Sequence, residues 1–370
     1  MTSTIACNLL WLRPGVVGGT ESYAVRLLAA LGAHAPDVDV HAYVLGDAAE
    51  THQRVLADHT TTVAPKADAE AARRVALERT WLARTLRQDA PRLVHHLGGT
   101  VPTSATGRTV VTIHDLQPLD DPANFSALKR RWLARAIPAA VAAADLVCTP
   151  SDWVADSIRD RFDVGDTEIR TVSAHARPTL VAEDQPSSTV ARLLDAGPVL
   201  LYPAMTLAHK NHRMLFRAFS VAAERRPDLQ LVCVGAVGRD HEQLVAAAAS
   251  LSDRIHLLGH VASADLTALM ASAEALVFPS RYEGFGLPVL EAQQVGLPVV
   301  ASNATALPEV AGRGAILLDP DELDPWIDVM SAALPADRRI DLIRAGAENA
   351  TRYSAESMAA AQTAAWAAVG

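Results

Sequence analysis

A chain of 370 residues is long for one core, and two domains of roughly 100–200 residues each are expected. Hydrophobic residues make up 50% and aromatic ones only 5%, so the apolar content is mostly Ala, Val and Leu, as in helices packed on parallel sheet. A net charge of −9 argues against nucleic acid as a partner, and the isolated Cys7, Cys148 and Cys233 read as buried thiols in a reducing, cytoplasmic setting rather than zinc ligands or disulfides.

The first apolar run, IACNLLWL, follows no basic segment and is too short for a signal or a membrane span, so it reads as a strand. The loop RPGVVGGTESYAVRLL (13–28) then leads into a helix through Gly18-Gly19. It is not GxGxxG, and the next strand, VDVHAYVLG, ends without the acidic residue of a dinucleotide site. Glu21 is equally well read as complementing the helix dipole. Asp37 and Asp39 have the spacing of a metal-binding DxD, but their flanks read as a loop entering a strand. RLVHHL and TVVTIHD are buried strands; the latter puts His114 and Asp115 at its carboxyl end, where a polar pair points into a ligand crevice, although a satisfied core histidine is the alternative. SALKRRWLARAIPAA (126–140) is a basic amphipathic helix, either a solvated face or a weak peripheral contact with anionic lipid.

DLVCTPS and IRTVSA close the first half, and the polar stretch around QPSS reads as a linker. PVLLYPA, LQLVCVG, RIHLLG, ALVFPS and LPVVASN repeat the strand-and-helix alternation. The expected organisation is therefore α/β: a doubly wound domain over 1–180, a linker over 181–196, a second doubly wound domain over 197–350 and a terminal alanine-rich helix over 351–370. Ligands in such sheets bind beyond the carboxyl ends of the strands, and the cleft between the domains is the default site.

Two sites follow from this layout. In SRYEGFGLPVLEA, a strand runs into a helix that starts near Pro288 and stops at Gly296. The amides of Gly284, Phe285, Gly286 and Leu287 would form an anion cradle at the helix start. Glu291 is expected on the first turn, either complementing the dipole or accepting from ligand hydroxyls. Glu283 lies before the glycines, and a carboxylate beside a bound anion is unfavourable unless it grips a donor such as a sugar hydroxyl. The second site, PAMTLAHKNH, sets His209, Lys210, Asn211 and His212 at another strand-to-helix junction, where a lysine can neutralise a diphosphate. Two histidines three apart without a carboxylate are weak grounds for a metal. Asp319 and Asp321 read as a turn, and no metal or other cofactor is called for.

EGFGLPVLE, with HLLGHV upstream and GLPVVASNATALPEVAG downstream, resembles the signature of the large retaining glycosyltransferase family of GT-B fold, which uses nucleotide-sugar donors. The resemblance covers most of the second half and is looser in the first. It implies two Rossmann-like domains facing a central cleft, with the C-terminal helix crossing back to the first domain. It also implies that Glu283 contacts donor-sugar hydroxyls, Glu291 holds the ribose, and the backbone of 284–287 meets the diphosphate and sugar. HKNH is similar to the phosphate-binding segment of a mannosyltransferase-like branch, implying that Lys210, with Asn211 beside it, binds the diphosphate. Where many members carry an Arg, this chain has Ala204. Gly18 and Gly19 correspond to a loop approaching donor phosphate and acceptor, His114 to a histidine near the reacting sugar carbon, and Val261 to backbone that selects the base. The implied partners are a nucleotide-sugar donor and a small-molecule, glycan or lipid-linked acceptor. A sugar-nucleotide epimerase of the same plan and a noncatalytic nucleotide-sugar-binding protein are the competing readings.

Overall fold

The computed structural model describes residues 4–16, 18–65, 71–102, 107–122, 125–176 and 185–369. Among them, seven strands form one parallel sheet: β1 (Ile5–Asn8), β2 (Val40–Val44), β3 (Thr60–Val63), β4 (Leu93–His96), β5 (Arg108–Thr112), β6 (Leu146–Thr149) and β7 (Glu168–Thr171). Six more form a second: β8 (Val199–Pro203), β9 (Gln230–Val234), β10 (Ile255–Gly259), β11 (Ala275–Phe278), β12 (Val299–Ser302) and β13 (Ala315–Leu318). The spatial orders are β3-β2-β1-β4-β5-β6-β7 and β10-β9-β8-β11-β12-β13. Both are doubly wound, and the strand order reverses once in each, between β1 and β4 and between β8 and β11. The central strands are buried along their whole length, which is why they read as continuous apolar runs.

The chain divides into two units, 1–175 with 353–370, and 176–352. The terminal helix Ala355–Ala368 thus belongs to the first unit, as the resemblance implied. It packs on helix Gly19–His34. Trp366 Nε1 donates to His95 Nδ1 at 3.2 Å, and Gln362 approaches Cys148 Sγ at 3.7 Å. Of the expected linker, residues 181–184 lie outside the described residues, and 188–196 is no linker but the helix Ser188–Ala196, capped by Ser187 and packed on helix Ser263–Ser272. Its pattern is amphipathic: Val190 is buried, and Leu193 and Leu194 pack on the core of the second unit. The three cysteines are free and buried. Among the described residues no helix is long and apolar enough to cross a membrane.

β3 and β13, which hydrophobic runs did not predict, are edge strands. β3 is TTTV, half exposed, and β13 is only partly buried. An edge strand is specified by pairing to one neighbour more than by burial.

Candidate functional site

In the second unit the loops that follow β8 and β11 leave the carboxyl edge of the sheet on either side of the point where strand order reverses. They are tied together by backbone: Arg281 N–H donates to His209 O at 2.8 Å. This tie sets Lys210 against Glu283, with Nζ 2.6 Å from Oε1 and side-chain exposures of 16% and 12%. Tyr202, at the end of β8, donates its hydroxyl to Lys210 O and stands 3.3 Å from Ser280 Oγ. Glu283 is fixed from the loop after β12, since its N–H donates to Thr305 Oγ1 at 3.0 Å.

The helix after this loop is Leu287–Gln294, with Gly286 as its N-cap at φ 105°. A Cβ on Gly286 would lie 2.5 Å from Leu307 Cδ2, so both conformation and packing require glycine. Pro288 has no N–H, and Val289 N–H bonds Gly286 O at 3.0 Å. The N–H groups of Gly286 and Leu287 have no partner among the described residues and lie at the helix start, where free amides suit an anion. Glu291 is on the second turn, not the first as expected, and is 8% exposed; the helix has no acidic residue in its first turn, so the dipole reading of Glu291 falls away. Phe285 is buried against the core rather than presented by its side chain.

Asn211 does not offer its side chain to a ligand. It is 3% exposed, in the left-handed conformation at φ 62°, and its Nδ2 donates to Pro279 O at 3.2 Å and Pro320 O at 2.7 Å. It locks three strand-end loops around Lys210. His209 and His212 are buried, and burial, reinforced by the Lys210 charge, holds both imidazoles down at about 3, so they are neutral. Asp319 and Asp321 form the expected turn, with Asp321 N–H on Asp319 Oδ1 at 2.8 Å and Arg281 Nε on Asp321 at 2.7 Å. Val261 lies in the loop between β10 and helix Ser263–Ser272, partly exposed. Among the described residues no three His, Cys, Asp or Glu are grouped to hold a metal.

In the first unit, His114 follows β5 and its Nε2 stands 2.8 Å from Leu97 O. A carbonyl only accepts, so Nε2 carries the proton and Nδ1 keeps its lone pair. Tyr23 meets the ring edge-on at 5.0 Å and Trp11 lies at 6.3 Å. Burial holds this imidazole down at about 4, against a small opposing pull from the Leu97 bond. Gly18, at φ 61°, caps helix Gly19–His34, and nothing lies within 4 Å of a Cβ built on Gly19. Glu21 does more than complement the dipole. Its carboxylate accepts from Gly15 N–H at 2.9 Å and pairs with His52 at 3.0 Å, bracing the loop. Asp39 accepts from Thr4 Oγ1 at 2.5 Å, a structural contact at the foot of the sheet.

A buried polar cluster at the β1/β4 reversal was not singled out from sequence. Asn8 Nδ2 reaches Glu78 Oε1 at 3.4 Å and His96 Nδ1 at 3.2 Å, and His95 Nε2 lies 2.8 Å from Thr112 Oγ1. The double histidine inside the apolar run RLVHHL was the available signal.

Two Rossmann-like units with strand-end sites define the GT-B class of nucleotide-sugar folds. The Glycosyltransferase Family 4 description matches residues 17–174, and the Glycosyl transferases group 1 description matches 197–335. The chain belongs to the group 1 glycosyltransferase family. It is similar to O-antigen chain mannosyltransferase B of Escherichia coli, 33% identical over 224 residues, covering 59% of this chain and 58% of that one. The chain thus spans less than two thirds of that relative's length. Among solved structures, it resembles a sucrose-phosphate synthase from Thermosynechococcus elongatus (TM-score 0.76, 19% identity, 99% of each chain covered). It also resembles the Anabaena protein HepE in complex with UDP-glucose (TM-score 0.73, 18% identity, 99% of each chain covered). At these identities the likeness is one of fold.

Proposed function

We propose that the chain is a retaining hexosyltransferase that moves a sugar from a nucleoside diphosphate to an acceptor hydroxyl. The single observation that carries the reading is the Lys210–Glu283 pair, 2.6 Å apart at the strand-order reversal of the second sheet. A lone exposed lysine would be solvated. Here the carboxylate, Tyr202 and Asn211 hold the ammonium and its backbone in place. The relative's mannosyltransferase name favours GDP-mannose or another GDP-, dTDP- or UDP-hexose as donor.

In this reading Lys210 and the Gly286 and Leu287 amides meet the diphosphate, Glu283 accepts from sugar hydroxyls, and Glu291 accepts from the ribose. His114 orients the acceptor hydroxyl with its neutral ring. As the bond from the anomeric carbon to the phosphate oxygen breaks, the acceptor oxygen forms its bond on the same face, and its proton passes to the departing phosphate oxygen. Positive charge on the sugar and negative charge on the diphosphate develop together, and preorganised donors stabilise the latter. The reaction needs neither a metal nor a nucleophilic side chain, and it takes place in the cytoplasm.

The test is a thermal-shift screen of nucleoside diphosphates, then turnover with the matching sugar donors and NMR assignment of the product anomer. Acceptor-dependent transfer with retention is expected. Donor epimerised without acceptor, or donor bound with no turnover across a broad acceptor panel, would contradict it.

A further inference from the structure

Helix Gly19–His34 holds the place where the chain leaves the first unit. After β7 the chain runs from Val172 to His175, the last residue before it passes to the second unit at Ala176. Tyr23 and Arg26 are three apart, so they share a face of the helix, and both are buried. The Tyr23 hydroxyl donates to Val172 O at 2.8 Å, and Arg26 Nη1 donates to His175 O. Each bond joins residues 149 positions apart. Val172 is itself pinned to the sheet, its N–H donating to Thr149 O at 2.8 Å. The chain returns to the first unit at Tyr353, and the terminal helix that follows packs on the same helix Gly19–His34. Both passages between the units are therefore fastened to one element.

Tyr23 also touches His114. The imidazole is held at two points, its own Cβ and the Nε2 bond to Leu97 O. Two points leave the ring free to turn about the line that joins them, and that turn swings Nδ1, the nitrogen left with a lone pair. The Tyr23 ring, 5.0 Å away and at 82° to the imidazole, stands edge-on against the turn, in a geometry that aromatic pairs favour. Trp11 is farther off at 6.3 Å and tilted. A phenylalanine would supply the same edge. The hydroxyl adds a fixed end: buried away from water it needs a partner, and Val172 O is that partner.

We propose that Tyr23 is a positioning residue for His114: its ring sets the tilt of the imidazole, and its hydroxyl ties that tilt to the segment through which the chain leaves the first unit. This rests on the transferase reading above, in which His114 orients the acceptor hydroxyl, and adds what orients His114. A hydrogen bond to Nδ1 weakens steeply off line, so a loose ring costs rate rather than donor affinity.

The test compares Tyr23→Phe with Tyr43→Phe, which removes another hydroxyl of the same unit, bonded to Asp89 at 2.7 Å on a ring that meets His41 and Trp81 instead of His114. NMR of the full chain with 15N-labelled histidine reads the ring directly, and His114 is assigned by the signals that His114→Gln loses. The wild type should show a neutral ring protonated at Nε2 and ring-to-ring NOE contacts with Tyr23, a readout that needs no variant to fold. Tyr23→Phe should shift and broaden the His114 signals, and Tyr43→Phe should leave them in place. In turnover Tyr23→Phe should lower kcat about tenfold with donor KM unchanged, and it should cost nothing further in a His114→Gln background. Missing NOE contacts, His114 signals unmoved by Tyr23→Phe, an equal shift in Tyr43→Phe, or the same loss of kcat with and without His114 would each overturn the proposal. If no sugar transfer is found while the His114 signals answer to Tyr23→Phe alone, the transferase reading fails and the positioning of the ring stands.

Discussion

Thr305 holds Glu283 from the far side: its Oγ1 accepts the Glu283 N–H at 3.0 Å while its own backbone sits at φ 55°. A β-branched residue in the left-handed region is strained, by about 1–3 kcal/mol. Thr305→Gly relieves that strain and loses a hydrogen bond worth about 1 kcal/mol, together with the entropy cost of glycine. The thermal midpoint should therefore shift little. Glu283 loses its anchor, so sugar transfer should fall about tenfold, while Thr305→Ser keeps the hydroxyl and most of the activity. Thermal denaturation and kcat/KM on the two variants decide it; equal activity in both would make Thr305 a bystander.

The Lys210–Glu283 pair is partly buried, so removing one partner leaves a charge short of solvent. Lys210→Met and Glu283→Gln should each destabilise the protein, and the double variant should lose less than the sum of the two. Activity should behave differently, with each single variant down about 10²–10³-fold and the double variant no better. Urea denaturation and transfer kinetics on the four proteins form the cycle. Additive stability losses, or a double variant that regains activity, would show that the pair does not act as a unit.

The strand-to-helix punctuation made the second-unit site legible: Pro288, Gly286 and the apolar run ALVF specify a strand, a tight loop and a helix start from local chemistry alone. The 2.6 Å approach of Lys210 to Glu283 was not legible, because they are 73 positions apart and meet only through the β8–β11 pairing. Asn211 misled for the same reason, since a polar residue beside Lys210 reads as a ligand contact until Pro279 and Pro320 are seen to claim its amide. Glu291 was placed one turn early because the helix was counted from Pro288, whereas it begins at Leu287 and its first turn closes at Leu290. Helix Ser188–Ala196 was hidden by the polar residues at its N-cap, which resemble a linker while they satisfy the helix's first amides. Glu78 had no sequence signal: its hydrogen-bond partner Asn8 lies seventy positions earlier.

The two glycine sites make opposite predictions. Gly286→Ala drives a Cβ to within 2.5 Å of Leu307 at φ 105°, so it should destabilise the second unit by about 2 kcal/mol or more and displace the Leu287 amide. Gly19→Ala meets nothing within 4 Å in a helix's first turn and should stabilise by a few tenths of a kcal/mol to about 1. If backbone at Gly19 closely approaches donor or acceptor, the same variant should raise KM despite its stability. Calorimetric midpoints beside KM values separate the two effects. A Gly19→Ala protein with unchanged KM would remove Gly19 from the site.

Buried neutral histidines should make stability acid-sensitive well above the carboxylate range. Burial holds His95, His209 and His212 down at about 3 and His96 and His114 at about 4, whereas each titrates near 6.5 when unfolded. Between about pH 6.5 and 4 the unfolded chain therefore binds more protons than the folded one. Stability is full above 6.5 and falls as the pH drops, by up to about 1.4 kcal/mol per pH unit for each histidine. Glu78, whose carboxyl is raised by burial, opposes this, since there the folded chain holds the proton more tightly. His212 offers the sharpest check. Neither of its ring nitrogens has a hydrogen-bond partner, and it lies among Tyr202 at 4.7 Å and Phe216 at 6.0 Å. His212→Phe exchanges two unsatisfied buried polar atoms for apolar contact, so it should leave stability at pH 7.5 unchanged or higher and flatten the acid slope of the second unit. Urea midpoints from pH 7.5 to 4.5 measure both quantities. A wild-type midpoint that stays level down to pH 5, or a His212→Phe protein with an undiminished slope, would mean that these imidazoles take up protons in the folded state.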